Sequence, residues 1–181
     1  MVSTRIANAW LGLLGCLLAG ALYARDASAE RAAPRVVLQR ASADELRAEL
    51  LEPKATLRLL HVWASFCGPC RAELPQLARE LRKTEGKPLD IVFLALDAPK
   101  TERAALRALR SAGKLPGRAL CASPADAGPT MKELDPDWDG TIPSTYLLDP
   151  QGKIVFAQRG VTKLAELTSA IERATGADDD P

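Results

Sequence analysis

Net charge, histidine and repetition are all scarce in this chain. Lys and Arg number 24 against 23 Asp and Glu, so no field of one sign exists to hold nucleic acid or an anionic surface by charge alone. No internal repeat is visible and no low-complexity block exceeds the short acidic end, which excludes a repeat array. His61 is the only histidine among 181 residues, and a second Cys-x-x-Cys is missing. A four-ligand structural zinc site therefore lacks its donors. Residue 71 is Arg where covalent haem attachment needs His. What remains is the length and apolar fraction of one globular domain with a short appendage.

The appendage is at the front. From Ile6 to Ala24 no residue is charged, with Arg5 before the run and Arg25 and Asp26 after it. That length approaches the roughly 20 residues of a membrane span and exceeds the roughly 7–15 of a signal-peptide core. Ala27-Ser28-Ala29 is nevertheless a small-x-small cleavage triplet, and Leu13-Leu14-Gly15-Cys16 resembles a lipid-attachment box. Anchor, cleaved signal and lipoprotein all stay open. Each keeps Arg5 inside and sends the rest of the chain out of the cytoplasm, into an oxidising compartment. The expected organisation is an anchor or signal over 1–29, a tether over 30–35 containing Pro34, a folded domain over 36–176, and an acidic tail over 177–181.

Hydrophobic patterning divides the domain. Val36 to Leu38 reads as a short strand, and Asp44 to Leu51 as a helix capped by Ser42. Thr56 to Val62 and Asp90 to Leu96 are apolar runs of the kind buried on both faces of a sheet. Pro69 to Lys83, with a kink at Pro75, and Thr101 to Ala112 read as helices. Ala122 to Gly140, with Pro124, Pro129, Pro136 and Trp138, reads as a loop. Ser144 to Leu148 and Ile154 to Gln158 form a hairpin about Asp149-Pro150-Gln151-Gly152-Lys153. A last helix spans Leu164 to Ala174. The order β-α-β-α followed by β-β-α makes an α/β fold, a mixed central sheet flanked by helices.

Cys67-Gly68-Pro69-Cys70 follows the first buried strand, where a helix must start. Unsatisfied backbone N–H groups and about half a positive charge at that end favour a thiolate over a thiol. Cys67 is the expected nucleophile, and Cys70, one turn in, the residue that resolves the mixed disulfide. Pro69 suits the first turn, where its missing N–H costs little. The alternative is a purely structural disulfide. Cys121 reads as a buried thiol.

Two stretches, Val62-Trp63-Ala64-Ser65-Phe66-Cys67-Gly68-Pro69-Cys70-Arg71-Ala72-Glu73-Leu74-Pro75 and Thr141-Ile142-Pro143-Ser144-Thr145-Tyr146-Leu147-Leu148 with its hairpin, resemble the TlpA/ResA/DsbE-like branch of the thioredoxin superfamily. These are membrane-anchored thiol-disulfide oxidoreductases of bacterial envelopes. The resemblance implies a thioredoxin-like fold, no cofactor and no metal. It implies that Pro143 is a cis-proline beside the cysteine pair, and that Ile142 offers its backbone to an extended substrate. Trp63 and Phe66 join Ile142 and Pro143 as expected substrate contacts, Phe66 standing where Trp is commoner. Glu73 matches an acidic residue of this branch and would accept the Cys70 proton. His61 stands where the family carries Asp or Asn. Alternation puts His61, Trp63 and Ser65 on the strand face covered by the helix of Cys70 and Glu73, so His61 and Glu73 are expected to form a proton-relaying pair with His61 titrating near neutral pH, the alternative being a core histidine with one satisfied hydrogen bond.

A Gly-Pro pair between the cysteines is the thioredoxin arrangement, whose potential of about −270 mV is reducing relative to about −120 mV for DsbA. The expected partners are oxidised exported proteins, with apocytochrome c among the candidates, and a membrane reductant of the DsbD or CcdA type. The expected site of action is the periplasmic side of the inner membrane, or the soluble periplasm after signal cleavage. A peroxidase would need a Thr-x-x-Cys nucleophile site, which is missing. The rival reading is a copper-delivery-like metal handler on the same fold. Such proteins pair Cys-x-x-x-Cys with a distant histidine, unlike the spacing here.

Overall fold

The structure, a computed structural model, describes residues 36–176. The expected anchor, cleavage triplet, lipid box, tether and acidic tail lie outside them. No helix among the described residues is long and apolar enough to cross a membrane.

The sheet is built around two buried, mostly apolar strands. β2 (Leu57–Trp63) and β3 (Leu89–Leu96) pair in parallel from Leu57↔Leu89 to Trp63↔Ala95. β4 (Arg118–Ala122) and β1 (Leu38–Arg40) extend the parallel side, while β5 (Ser144–Leu148) pairs antiparallel with β2 and β6 (Ile154–Arg159) antiparallel with β5. The six-stranded order is β1-β4-β3-β2-β5-β6. Alternation along β2 splits the core in two. Leu59 and Trp63 face α2 (Gly68–Leu81), α3 (Glu102–Ser111) and α5 (Leu164–Gly176), whereas Leu60 and Val62 face α1 (Ala43–Leu51) and α4 (Pro124–Leu134).

Local chemistry explains the boundaries. Ser42 accepts from the Glu45 N–H at 3.3 Å while the Glu45 carboxylate accepts from the Ser42 N–H at 2.8 Å, a reciprocal cap that starts α1. Gly117 opens β4 at φ +103°, where a Cβ would lie 2.3 Å from the Ile91 carbonyl oxygen, so only glycine lets β4 approach β3.

Two expectations are corrected. The segment 122–140 is not a loop, because α4 occupies Pro124–Leu134 and the preceding residues form β4. Ser123 caps α4 by accepting from the Asp126 N–H, and Pro124 fills its first turn, so a proline read as a breaker is a starter. Pro129 does interrupt the helix interior, a cost of about 3 kcal/mol. Burial of Met131 and Ala127 against the α1 side of the core offsets that, since a buried Met side chain alone stabilises by about 1.5–3 kcal/mol. The first strand also lies two residues later than expected. Its register is fixed by β4, through Leu38↔Ala119 and Arg40↔Cys121, a partner the sequence reading lacked.

Candidate functional site

Cys67 caps α2, and its sulfur accepts from the Cys70 N–H at 3.2 Å. Cys67 and Cys70 are joined as a disulfide, the first half-buried and the second fully buried. That unequal exposure fits the nucleophile and resolving roles expected from their order. Phe66, directly before the pair, is 68% exposed and leaves an apolar surface at the lip of the site.

The facing wall comes from the start of β5. The Ile142–Pro143 peptide is cis, and the Ile142 carbonyl oxygen lies 3.8 Å from Cys67 Sγ. The β5 ladders begin only at Ser144, so neither neighbouring strand engages Ile142. The Gly160 N–H donates to the Pro143 carbonyl at 2.7 Å, and the Ser144 hydroxyl and Trp138 indole both donate to the Thr141 carbonyl. Behind this loop Asp135 accepts from Tyr146 at 2.8 Å and from Arg159 at 2.6 Å. Burial alone would raise the Asp135 pKa, but these donors hold it below the usual carboxylate range.

Trp63 requires correction as a substrate contact. It is fully buried within the α2 side of the core, so it supports the cysteine loop from beneath and offers no surface.

His61 and Glu73 come together. His61 Nε2 lies 3.5 Å from Glu73 Oε1, and Nδ1 lies 3.0 Å from the Thr145 hydroxyl. The Thr145 and Thr162 hydroxyls are 2.7 Å apart. Thr162 donates its N–H to Glu73 Oε2 at 2.9 Å and its hydroxyl to Oε1 at 3.4 Å. His61, Thr145, Thr162 and Glu73 form a hydrogen-bonded chain whose two ends approach to 3.5 Å at Nε2 and Oε1 without a hydrogen bond between them. Sequence reasoning missed both threonines, although Thr145 is the β5 residue in register with His61.

The expectation that His61 titrates near neutrality is not met. Complete burial pushes its pKa down to about 3, so the imidazole is neutral at physiological pH. Glu73 moves the other way, since burial raises its pKa against the lowering effect of the two Thr162 bonds. Of the pair, Glu73 is thus the member whose proton affinity is raised and His61 the one whose affinity is lowered.

Two further buried groups brace the loop. Asp97 ends up fully buried just beyond β3 and accepts from the Ser65 N–H at 2.8 Å and the Ser65 hydroxyl at 2.5 Å. Cys121 donates to the Asp97 carbonyl at 3.3 Å, and burial raises its thiol pKa, leaving it a weak nucleophile.

A model described as the AhpC/TSA family matches residues 29–157. The thiol-disulfide oxidoreductase ResA of Bacillus subtilis is 26% identical over 149 residues, covering 81% of this chain and 77% of that protein. A thiol:disulfide interchange protein DsbE homologue of Paracoccus denitrificans is 31% identical over 105 residues, 58% of this chain and 51% of its own length. Among solved structures, StoA from Bacillus subtilis superposes with a TM-score of 0.51 at 25% identity, covering 66% of this chain and 84% of that one.

Proposed function

From the premise that the chain belongs to the AhpC/TSA family and is a ResA/DsbE-like thiol-disulfide oxidoreductase of the thioredoxin fold, we propose that it reduces disulfides of exported proteins outside the cytoplasm, apocytochrome c being one candidate. The observation that carries this reading is the half-buried Cys67 at the start of α2, 3.8 Å from the free Ile142 carbonyl.

In this reading an extended substrate segment pairs with the Ile142 backbone beside Pro143 and packs against Phe66. The Cys67 thiolate attacks one substrate sulfur, a mixed disulfide forms, and the other sulfur leaves as a thiolate that takes a proton from water. Cys70 then gives its proton to Glu73 and attacks Cys67 Sγ. The Cys67–Cys70 bond forms and the second substrate thiol is released. Two electrons have passed to the substrate, and a membrane reductant of the DsbD or CcdA type returns them.

His61 serves this step as a positioning residue. Its neutral ring is anchored through Nδ1 on the Thr145 hydroxyl and sets Nε2 3.5 Å from Glu73 Oε1, so it borders the carboxyl without taking a charge itself.

The test is the reduction potential of the Cys67/Cys70 couple, measured beside insulin reduction and copper titration. A potential nearer −270 than −120 mV with insulin turnover is expected. Tight stoichiometric copper binding without turnover would replace the proposal with a metal-handling role.

A further inference from the structure

Between α2 and α3 runs a groove of about 430 Å³, lined by Ser65, Arg71, Pro75, Ala104, Arg107 and Ala108 among others. Pro75, Ala104 and Ala108 give it an apolar lining. The rims are cationic, since Arg71 on α2 and Arg107 on α3 are both exposed. Arg103, Arg107 and Arg110 recur at helical spacing along α3, so they form one stripe.

These cations have no internal counterion among the described residues. Arg40, Arg47, Arg118 and Arg159 each pair with a carboxylate, whereas Arg71, Arg103, Arg107 and Arg110 pair with none. Glu102, the one acid of α3, is taken by Arg40. An unpaired stripe in a chain of balanced charge is a complementary surface awaiting its anion. From Arg103 to Arg110 the stripe spans about 10 Å of helix, roughly three residues of extended chain. Two lining residues flank the redox pair in the chain, Ser65 two residues before Cys67 and Arg71 directly after Cys70.

We propose that this groove docks an acidic polypeptide segment of the exchange partner, holding Asp and Glu side chains on Arg71 and the α3 stripe while the partner's disulfide meets Cys67. The idea rests on the oxidoreductase reading above, and names the class of substrate it prefers. Docking of this kind acts mainly on encounter rate and is screened by salt.

Two measurements on the full-length chain test it. The first is binding of a fluorescent, cysteine-free peptide rich in Asp and Glu, against a Ser/Asn analogue of equal length. The second is the rate at which reduced protein attacks disulfide peptides with acidic, neutral or basic flanks. The acidic peptide should bind about tenfold tighter than the neutral one at low salt, and the acidic-flanked disulfide should react about tenfold faster than the basic-flanked one, both gaps closing in 0.5 M salt. Arg107→Glu should erase both preferences and leave the neutral disulfide rate unchanged, while Arg79→Glu, on the same helix as Arg71 but outside the groove, should change neither. Equal rates for all flanks, or equal loss for all three in Arg107→Glu, overturn the proposal while leaving the oxidoreductase reading intact. Selective peptide binding without any disulfide exchange keeps the groove and removes that reading. If a chain ending at Gly176 binds the acidic peptide several-fold tighter than the full chain, the groove belongs to this protein's own acidic end and the partner assignment falls.

Discussion

Arg58 and His61 stand on the same buried strand, 1% and 0% exposed, and their environments differ in a way that separates architecture from chemistry. Arg58 faces α1 and donates to the Leu50 carbonyl at 3.0 Å and the Glu52 carbonyl at 3.3 Å, with Glu49 at 4.0 Å from its Nε. It neutralises the negative end of a helix, a fixed task for a group that keeps its proton. His61 faces α2 instead, where its Nδ1 meets the Thr145 hydroxyl at 3.0 Å and its Nε2 lies 3.5 Å from the Glu73 carboxyl. Arg58 Nε and His61 Nε2 are alike in making no hydrogen bond, so the difference between the two residues lies in their neighbours. The lesson is that a buried ionisable residue is read from its partners. Backbone carbonyls mark a strut, and a second titratable group marks a site of proton movement.

The comparison breaks most completely if the chemistry is not at the α2 side at all. Cys67→Ser should abolish exchange, and Cys70→Ser should accumulate a mixed disulfide through Cys67, read by non-reducing electrophoresis and mass spectrometry of the adduct. Trapping through Cys70 would reverse the two roles.

Arg58→Met keeps the apolar stem but strips two helix-end carbonyls of their donors. Stability should fall by about 2–3 kcal/mol in urea unfolding, with the exchange rate of the folded protein unchanged. A rate loss without a stability loss would make Arg58 part of the site and erase the distinction.

His61→Asn gives the subtlest and sharpest outcome. A histidine with a folded pKa near 3 and an unfolded value near 6.5 stabilises fully above pH 6.5, and that contribution is lost as pH falls from 6.5 toward 3. The wild type should therefore lose up to about 1.4 kcal/mol per pH unit relative to the variant across that window. Glu73, whose folded pKa is raised, contributes in the opposite sense, stabilising at low pH and less as pH rises through its folded value. At neutral pH the variant should fold well yet resolve mixed disulfides about tenfold more slowly, with an altered pH profile. Resolution unaltered from pH 5 to 9 would return His61 to simple packing.

Much of this was readable before the structure because the signals are local. Two doubly buried strands announce themselves as apolar runs, the cysteine pair marks the strand-to-helix junction, and Asp149 to Lys153 specifies its own hairpin. Alternation set His61 on the face covered by the helix of Cys70, and the family resemblance singled out Glu73 on that helix. The misses depend on partners distant in sequence. β1 is an edge strand whose register belongs to β4, and α4 begins with residues that equally favour a loop until α1 offers it a surface. Thr145 and Thr162 carry no chemistry in isolation and become part of the hydrogen-bonded chain only through sheet register. Trp63 shows the opposite error, a role suggested by likeness that burial removes.

Chain order gives the site a history. Cys67 meets Ile142 across 75 residues, and Glu73 meets Thr162 across 89. A polypeptide made from its N-terminus at about 5–20 residues per second exposes the two thiols roughly 4–18 s before the wall and the acid's donors exist. During that interval the pair is an ordinary dithiol, open to any disulfide it meets. Selectivity arrives last, with the final third of the chain, so the nascent protein is a blunter reagent than the finished one.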